Sequence, residues 1–171
     1  MKQLAIIAII TVAILVPLQA FASSYDETTK HSAKMFGIVS GDYNNKNGLL
    51  NLSGMYKYGN TNLSDIRIVG VLKSWNYWDS SIPNCKHAFS DDMIVMFDKN
   101  QSYGKIVLVG KWCEANWNGN WKTLRADYII IDGKVPYATG IDGKGVLEVL
   151  INIQTGQVLS GKINGNLNIY T

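Results

Sequence analysis

From Lys34 to Tyr170 the chain alternates apolar and polar residues in short runs broken by Gly, Asn and Asp. No helical period of 3.6 appears, and the pattern predicts strands near 34–40, 48–58, 64–75, 91–98, 104–113, 122–131, 144–153 and 157–170. Turn signals sit between them: Asn45-Lys46-Asn47-Gly48, Gly59-Asn60-Thr61-Asn62, Asp98-Lys99-Asn100 and Gln154-Thr155-Gly156. The last strand alternates most cleanly. Leu159, Gly161, Ile163, Gly165, Leu167 and Ile169 face one way, and Ser160, Lys162, Asn164, Asn166 and Asn168 the other. Leu50, Leu52, Gly54, Tyr56 and Tyr58 share a face in an earlier strand, as do Ile106, Leu108, Gly110 and Trp112. Glycine weakens a strand interior, so glycines among large apolar residues mark sharp bends or a bulky side chain crossing over.

Eight such strands with short hairpins and no crossover helix predict an all-β fold, an antiparallel eight-stranded barrel. A two-sheet β-sandwich is the alternative, because strand order is not legible in one sequence. An outer-membrane barrel fits less well. Tyr170 falls out of register with Leu167 and Ile169, and a lipid-facing terminal aromatic is expected to share their face.

The start of the chain is different in kind. Lys2, an uncharged apolar run from Leu4 to Val16, Pro17, and Ala20-Phe21-Ala22 follow the layout of a secretory signal peptide. The run is too short for a stable membrane anchor. Residues 1–22 are therefore expected to be a signal peptide cleaved near Ala22, 23–33 a mobile polar arm, and 34–171 a single β-barrel domain. The mature protein is expected to be soluble and secreted or periplasmic, with no stable membrane insertion.

Export changes the reading of the cysteines. Cys85 and Cys113 are the only two, and an isolated pair in an oxidising compartment most often forms a disulfide. A loop of this length gives roughly 3.5 kcal/mol of stabilisation in the simple chain-entropy treatment. There is no C-x-x-C motif, and His31 and His87 complete no zinc pattern, so no metal and no cofactor are expected. The net charge is +3 with no basic stripe, which argues against a nucleic-acid partner.

The segment Tyr128-Ile-Ile-Ile-Asp-Gly133, then Tyr137-Ala-Thr-Gly140, Gly143 and Gly145, resembles the glycine-rich turn of the allene oxide cyclase and dirigent-type barrels. The likeness covers the last third of the chain. It departs from the family at Val135-Pro136, where glycine and a basic residue are usual. It implies an eight-stranded barrel with a cavity opening at one end, and it carries over no catalytic residue.

The aromatic residues supply the main candidate chemistry. Trp75, Tyr77 and Trp78 lead toward Cys85, while Trp117, Asn118 and Trp121 follow Cys113. A Cys85–Cys113 bond gathers these segments, and Trp rings beside Asn and Asp side chains suit a sugar face and its hydroxyls. The competing reading makes Trp75 and Trp112 core residues. Among carboxylates, Asp91 and Asp92 are adjacent and so face opposite sides of a strand. Arg125 and Asp127 read as an ion pair, and Glu148 as either a cavity wall or a solvent-facing residue beside Lys144 and Asn152. No catalytic site is assigned, and no nucleophile elbow or phosphate loop is present. The expectation is an exported non-catalytic barrel that binds a small molecule or glycan through an aromatic-rich end. The alternatives are a secreted module that engages a protein target, as an inhibitor or effector, and a cyclase-like barrel enzyme.

Overall fold

The structure, a computed structural model, describes residues 28–78, 85–99, 101–115, 120–136 and 138–171, with the backbone alone at 74–78. The expected signal peptide, residues 1–22, lies outside the described residues.

Nine strands follow in order: β1 Lys30–Asn44, β2 Leu49–Tyr58, β3 Ser64–Val71, β4 Lys73–Trp78, β5 Cys85–Phe97, β6 Ser102–Glu114, β7 Trp121–Lys134, β8 Gly140–Asn152 and β9 Gln157–Tyr170. Every pairing is antiparallel, in the order β3-β2-β1-β9-β8-β7-β6-β5-β4. A further pairing of β3 with β5 closes the sheet on itself. β3 and β4 both lie along β5, one after the other, through Ile66–Val69 and Lys73–Trp78. They are two halves of one stave, so the wall is an eight-stranded barrel and not a sandwich. Closure removes the sheet edges that would otherwise seek a partner strand.

The alternation works as the sequence predicts. Leu50, Leu52, Ile68, Met93, Val95, Ile106, Leu108, Leu124, Leu147 and Ile163 point inward and are completely buried. Full burial of each such side chain stabilises the fold by about 1.5–3 kcal/mol before entropy is charged against it. Together they fill the interior, so this barrel has a solid core and no central channel among the described residues. The outward positions mix charged residues, Lys34, Lys57, Arg67, Lys105 and Lys162, with exposed apolar ones such as Phe36, Ile38, Val109 and Ile129.

Glycines make the tight packing possible. A Cβ on Gly165 would strike the Tyr128 hydroxyl and the Lys144 carbonyl, so Tyr128 crosses the wall where Gly145 faces Gly165. On β3, a Cβ on Gly70 would sit 2.6 Å from the Met93 Cα, bringing β3 hard against β5.

Four expectations need correction. The polar arm ends earlier than predicted: β1 begins at Lys30, which opposes Tyr170, and the backbones of Thr29 and Thr171 exchange hydrogen bonds of 2.7 and 3.0 Å. Pairing with β9 satisfies a backbone whose side chains alone give no strand signal. The strand expected at 64–75 is interrupted at Leu72, whose N–H turns away to the Gly48 carbonyl at 2.8 Å. Leu159 points outward and is 53% exposed, because a β-bulge lies between the pairs Leu150–Ser160 and Ile151–Val158, and Val158 takes the inward place. Asp91 and Asp92 do not face opposite sides: a bulge between Ser90 and Met93 leaves both exposed. Asp91 there pairs with Lys73 at 2.9 Å, and Asp92 accepts a hydrogen bond from Ser90 at 3.4 Å.

Candidate functional site

The barrel has two ends of different chemistry. One is stapled by the disulfide. Cys85 and Cys113 oppose each other on β5 and β6, their Cα atoms 4.1 Å apart, and their sulfurs are bonded. Trp112 is nearly fully buried, and its ring meets that of Tyr43 with centroids 5.2 Å apart and planes tilted by 51°. That pair plugs the end from inside, as the core reading of Trp112 requires. Backbone bonds join the strand ends here, from the Ala115 N–H to the Trp121 carbonyl at 2.9 Å and from the Ile153 N–H to the Asn120 carbonyl at 2.8 Å.

Of the expected ligand-binding residues, Trp75, Tyr77, Trp78 and Trp121 fall at this end. Trp121 is half-buried at the start of β7. Trp75, Tyr77 and Trp78 lie on β4, where Trp75 opposes His87 and Trp78 opposes Lys86, close along β5 to Cys85. Their side chains, and all of Trp117 and Asn118, lie outside the described residues. The backbone thus gathers β4, the disulfide and Trp121 at one end, as the sequence suggested.

The opposite end holds the better-described site. A mouth of about 480 Å³ opens where β2 ends, β5 turns into β6 and β9 finishes. Its floor is apolar, with Phe97, Ile141 and Leu167. Tyr56 comes from the inward face of β2 and packs its ring on Phe97, centroids 5.0 Å apart. The Tyr56 hydroxyl donates to both Asp98 carboxylate oxygens, at 3.2 and 3.3 Å. Burial first, then the Asp98 charge and that hydrogen bond, push the Tyr56 phenol far above its ordinary value near 10, so it stays a donor at any physiological pH. Tyr58, two residues on, donates to the His31 carbonyl at 2.9 Å. Ser102 is buried on the rim of the same mouth.

The turn carrying Asp98 is held in an uncommon shape. Asp98 and Lys99 have φ of 52° and 56°, the left-handed region that Asn-Gly usually fills in a two-residue hairpin. The Asp98 N–H bonds the Asp65 carbonyl at 3.0 Å, and the Gln101 N–H bonds the Asp98 carbonyl at 3.2 Å. The carboxylate is therefore fixed from its backbone and from Tyr56 together. Asp98 is among the residues that line the mouth.

Glu148 and Asp142 have structural partners. Arg125 pairs with Glu148 and not with Asp127, and both members of the pair lie on the outer wall. Glu148 is thus a solvent-side residue. Asp142 is also on the outer wall, where the Tyr170 hydroxyl at 2.6 Å, above all, holds its carboxyl below the usual range. Asn168 and the charge of Lys30 act in the same direction. Among the described residues no group of three His, Cys, Asp or Glu side chains is placed to hold a metal ion.

Sequence reasoning put Tyr56 and Tyr58 on the apolar face and Asp98 in a turn without joining them. The signal was there: two inward tyrosines at a strand end signal a polar mouth. Pairing them with Asp98 needs the strand order, which places β2 beside β3 and β3 beside β5.

In comparisons with known proteins, no family model, no curated protein and no solved structure matches this chain.

Proposed function

We propose that this chain is an exported, non-catalytic barrel that takes a small polar molecule or a glycan unit at its tyrosine-lined mouth. One observation carries the reading: Asp98, anchored by Tyr56, stands over an apolar floor inside a concavity of ligand size. Aromatic and aliphatic surface suits the C–H faces of a sugar, and a fixed carboxylate with nearby hydroxyls suits its polar edge. Among the described residues the mouth presents one carboxylate, where glycoside hydrolysis needs two, and that supports recognition over hydrolysis of a sugar. The bonded cysteines fit an oxidising compartment and so support export.

The likeness to allene oxide cyclase barrels implies a cavity at one end, and the mouth borders the glycine-rich segment through Val135 and Ile141. That supports a ligand-taking barrel and assigns no catalytic residue. A second reading keeps the ligand at the disulfide end, favoured by the gathering of β4 and Trp121 around Cys85–Cys113.

Calorimetric titration of the purified chain against a panel of neutral sugars and small polar metabolites tests the proposal. A hit should weaken about tenfold or more in Asp98→Ala, since a hydrogen bond to a charged group contributes roughly 1.5–3 kcal/mol. Binding that ignores Asp98→Ala while changing tryptophan emission moves the site to the disulfide end. No heat with any member of the panel overturns the small-ligand reading.

A further inference from the structure

The outer wall carries a groove apart from the mouth. Strand register lines up Lys34 of β1, Asn166 of β9, Lys144 of β8 and Ile129 of β7 in one row across the sheet. In the next row toward the chain ends stand Ser32, Asn168 and Asp142. These rows line an open groove of about 730 Å³, which continues past Asn164. Neighbouring strands lie about 4.8 Å apart, so the two lysines flank Asn166 from roughly 10 Å apart.

The charges in the groove are unequally committed. Asp142 is taken up by Tyr170 and Asn168, and Lys30 lies over the Tyr170 ring, 5.8 Å from its centroid. Asp127 faces Val146 one row further on. Lys34 and Lys144 have no ion-pair partner among the described residues. Two free ammonium groups with a primary amide between them make a cradle for an anionic group: the lysines supply charge, and the amide supplies both a donor and an acceptor. The groove is long, open and floored on one side by exposed Ile129 and Ile131. That combination suits an extended chain with hydroxyls, apolar C–H faces and spaced negative charges.

We infer that the β1–β9–β8 wall binds an anionic polysaccharide, its carboxylate or sulfate groups seated between Lys34 and Lys144. A membrane surface would call for protruding apolar side chains around the lysines. Exposed Phe36 and Ile129 do stand beside the lysines, but Asn164, Asn166, Asn168 and Ser32 fill most of the rows, and that hydrogen-bonding lining favours a hydroxylated polymer over a membrane surface.

The test is affinity electrophoresis and calorimetry of the full chain with polygalacturonate, with dextran sulfate, and with uncharged dextran, at low and moderate salt. The expected result is binding to one or both charged polymers, weakening as salt rises, and no binding to dextran. Lys34→Glu/Lys144→Glu should cut affinity about tenfold or more, whereas the same charge change at Lys57→Glu/Lys105→Glu, elsewhere on the outer wall, should cut it less than about threefold. Asn166→Ala, which keeps every charge, should weaken binding measurably. Circular dichroism confirms that each variant is folded, and Asn166→Ala keeps the test decisive if the charge variants are not. Equal losses in the two lysine pairs reduce the effect to general charge and overturn the site. So does equal binding of dextran, or stronger retention on vesicles containing phosphatidylglycerol than on either charged polymer.

Discussion

Replacing Tyr128 by phenylalanine removes one buried oxygen from against the β8–β9 wall, and this should stabilise the protein. Tyr128 is 1% exposed, and its hydroxyl has no hydrogen-bond partner in the protein, resting against Gly165. Burying a hydroxyl without a partner costs about 1–3 kcal/mol. The void left by one oxygen returns only a few tenths of a kcal/mol of that as lost packing, on the order of 24 cal/mol per Å³. The expected net gain is about 1–2 kcal/mol, which for a domain of this size raises Tm by roughly 3–6 °C. A second signature comes from pH. Burial raises the phenol pKa of Tyr128 in the folded state well above its ordinary value near 10. Below pH 10 both folded and unfolded chains keep the proton, and the stability is fully present. As pH climbs past 10 the unfolded chain ionises first, so stability falls by at most about 1.4 kcal/mol per pH unit for this residue. Tyr56 adds a term of the same sign. Urea denaturation at pH 7 and at pH 11 measures both effects: Tyr128→Phe should have the higher midpoint at pH 7 and a smaller drop at pH 11. A variant destabilised by about 1 kcal/mol or more would refute the reasoning, because it would mean the hydroxyl makes a favourable bond, for example to a buried water.

The same crossing makes Gly165→Ala harmful. Its methyl would meet the Lys144 carbonyl as well as the Tyr128 hydroxyl, so chemical denaturation should show a loss of about 3 kcal/mol, only partly recovered in Tyr128→Phe/Gly165→Ala. Replacing both Cys85 and Cys113 by alanine should cost about 2–4 kcal/mol in the same assay, and reductant should lower the wild-type midpoint but not that of the variant. Acid should weaken the β8–β9 end in a defined way. The folded Asp142 pKa is depressed below 3.8, so its contribution is complete above that value and disappears as pH falls through the folded pKa. Asp142→Asn should flatten the pH dependence of stability below pH 4 and leave the pH 7–9 range without slope change.

How far the sequence carries depends on the interaction. Period-two alternation with glycine and asparagine turns is enough for the strands and for a shared inward face holding Leu50, Leu52, Ile106, Leu108 and Ile163, but a sandwich would bury that face too, and closure needs the β3–β5 pairing. The crossing of Tyr128 over Gly165 was half legible: glycine on an apolar face announces a bulky neighbour without naming it. The bulges at Asp91–Asp92 and at Leu159 were not legible, because an extra residue in one strand is set by its partner's register. Lys30 to Ala33 became strand for a similar reason: their pairing with Leu167 to Tyr170 is a long-range backbone bargain, invisible in a local polar run. The gathering of Cys85, Cys113, β4 and Trp121 was readable from the cysteines. The mouth was not, since Tyr56 and Asp98 meet across β3.

The most direct measurement is a backbone-amide NMR map of the full chain as a ligand found in the sugar and metabolite panel is titrated in. The account predicts shifts clustered at Tyr56, Tyr58, Asp98, Ser102 and Ile141, with the core strands still and the signals of Cys113 and Trp121 unmoved. Shifts confined to the disulfide end, or spread through Leu108, Leu124 and Leu147 as a ligand entered the core, would contradict it.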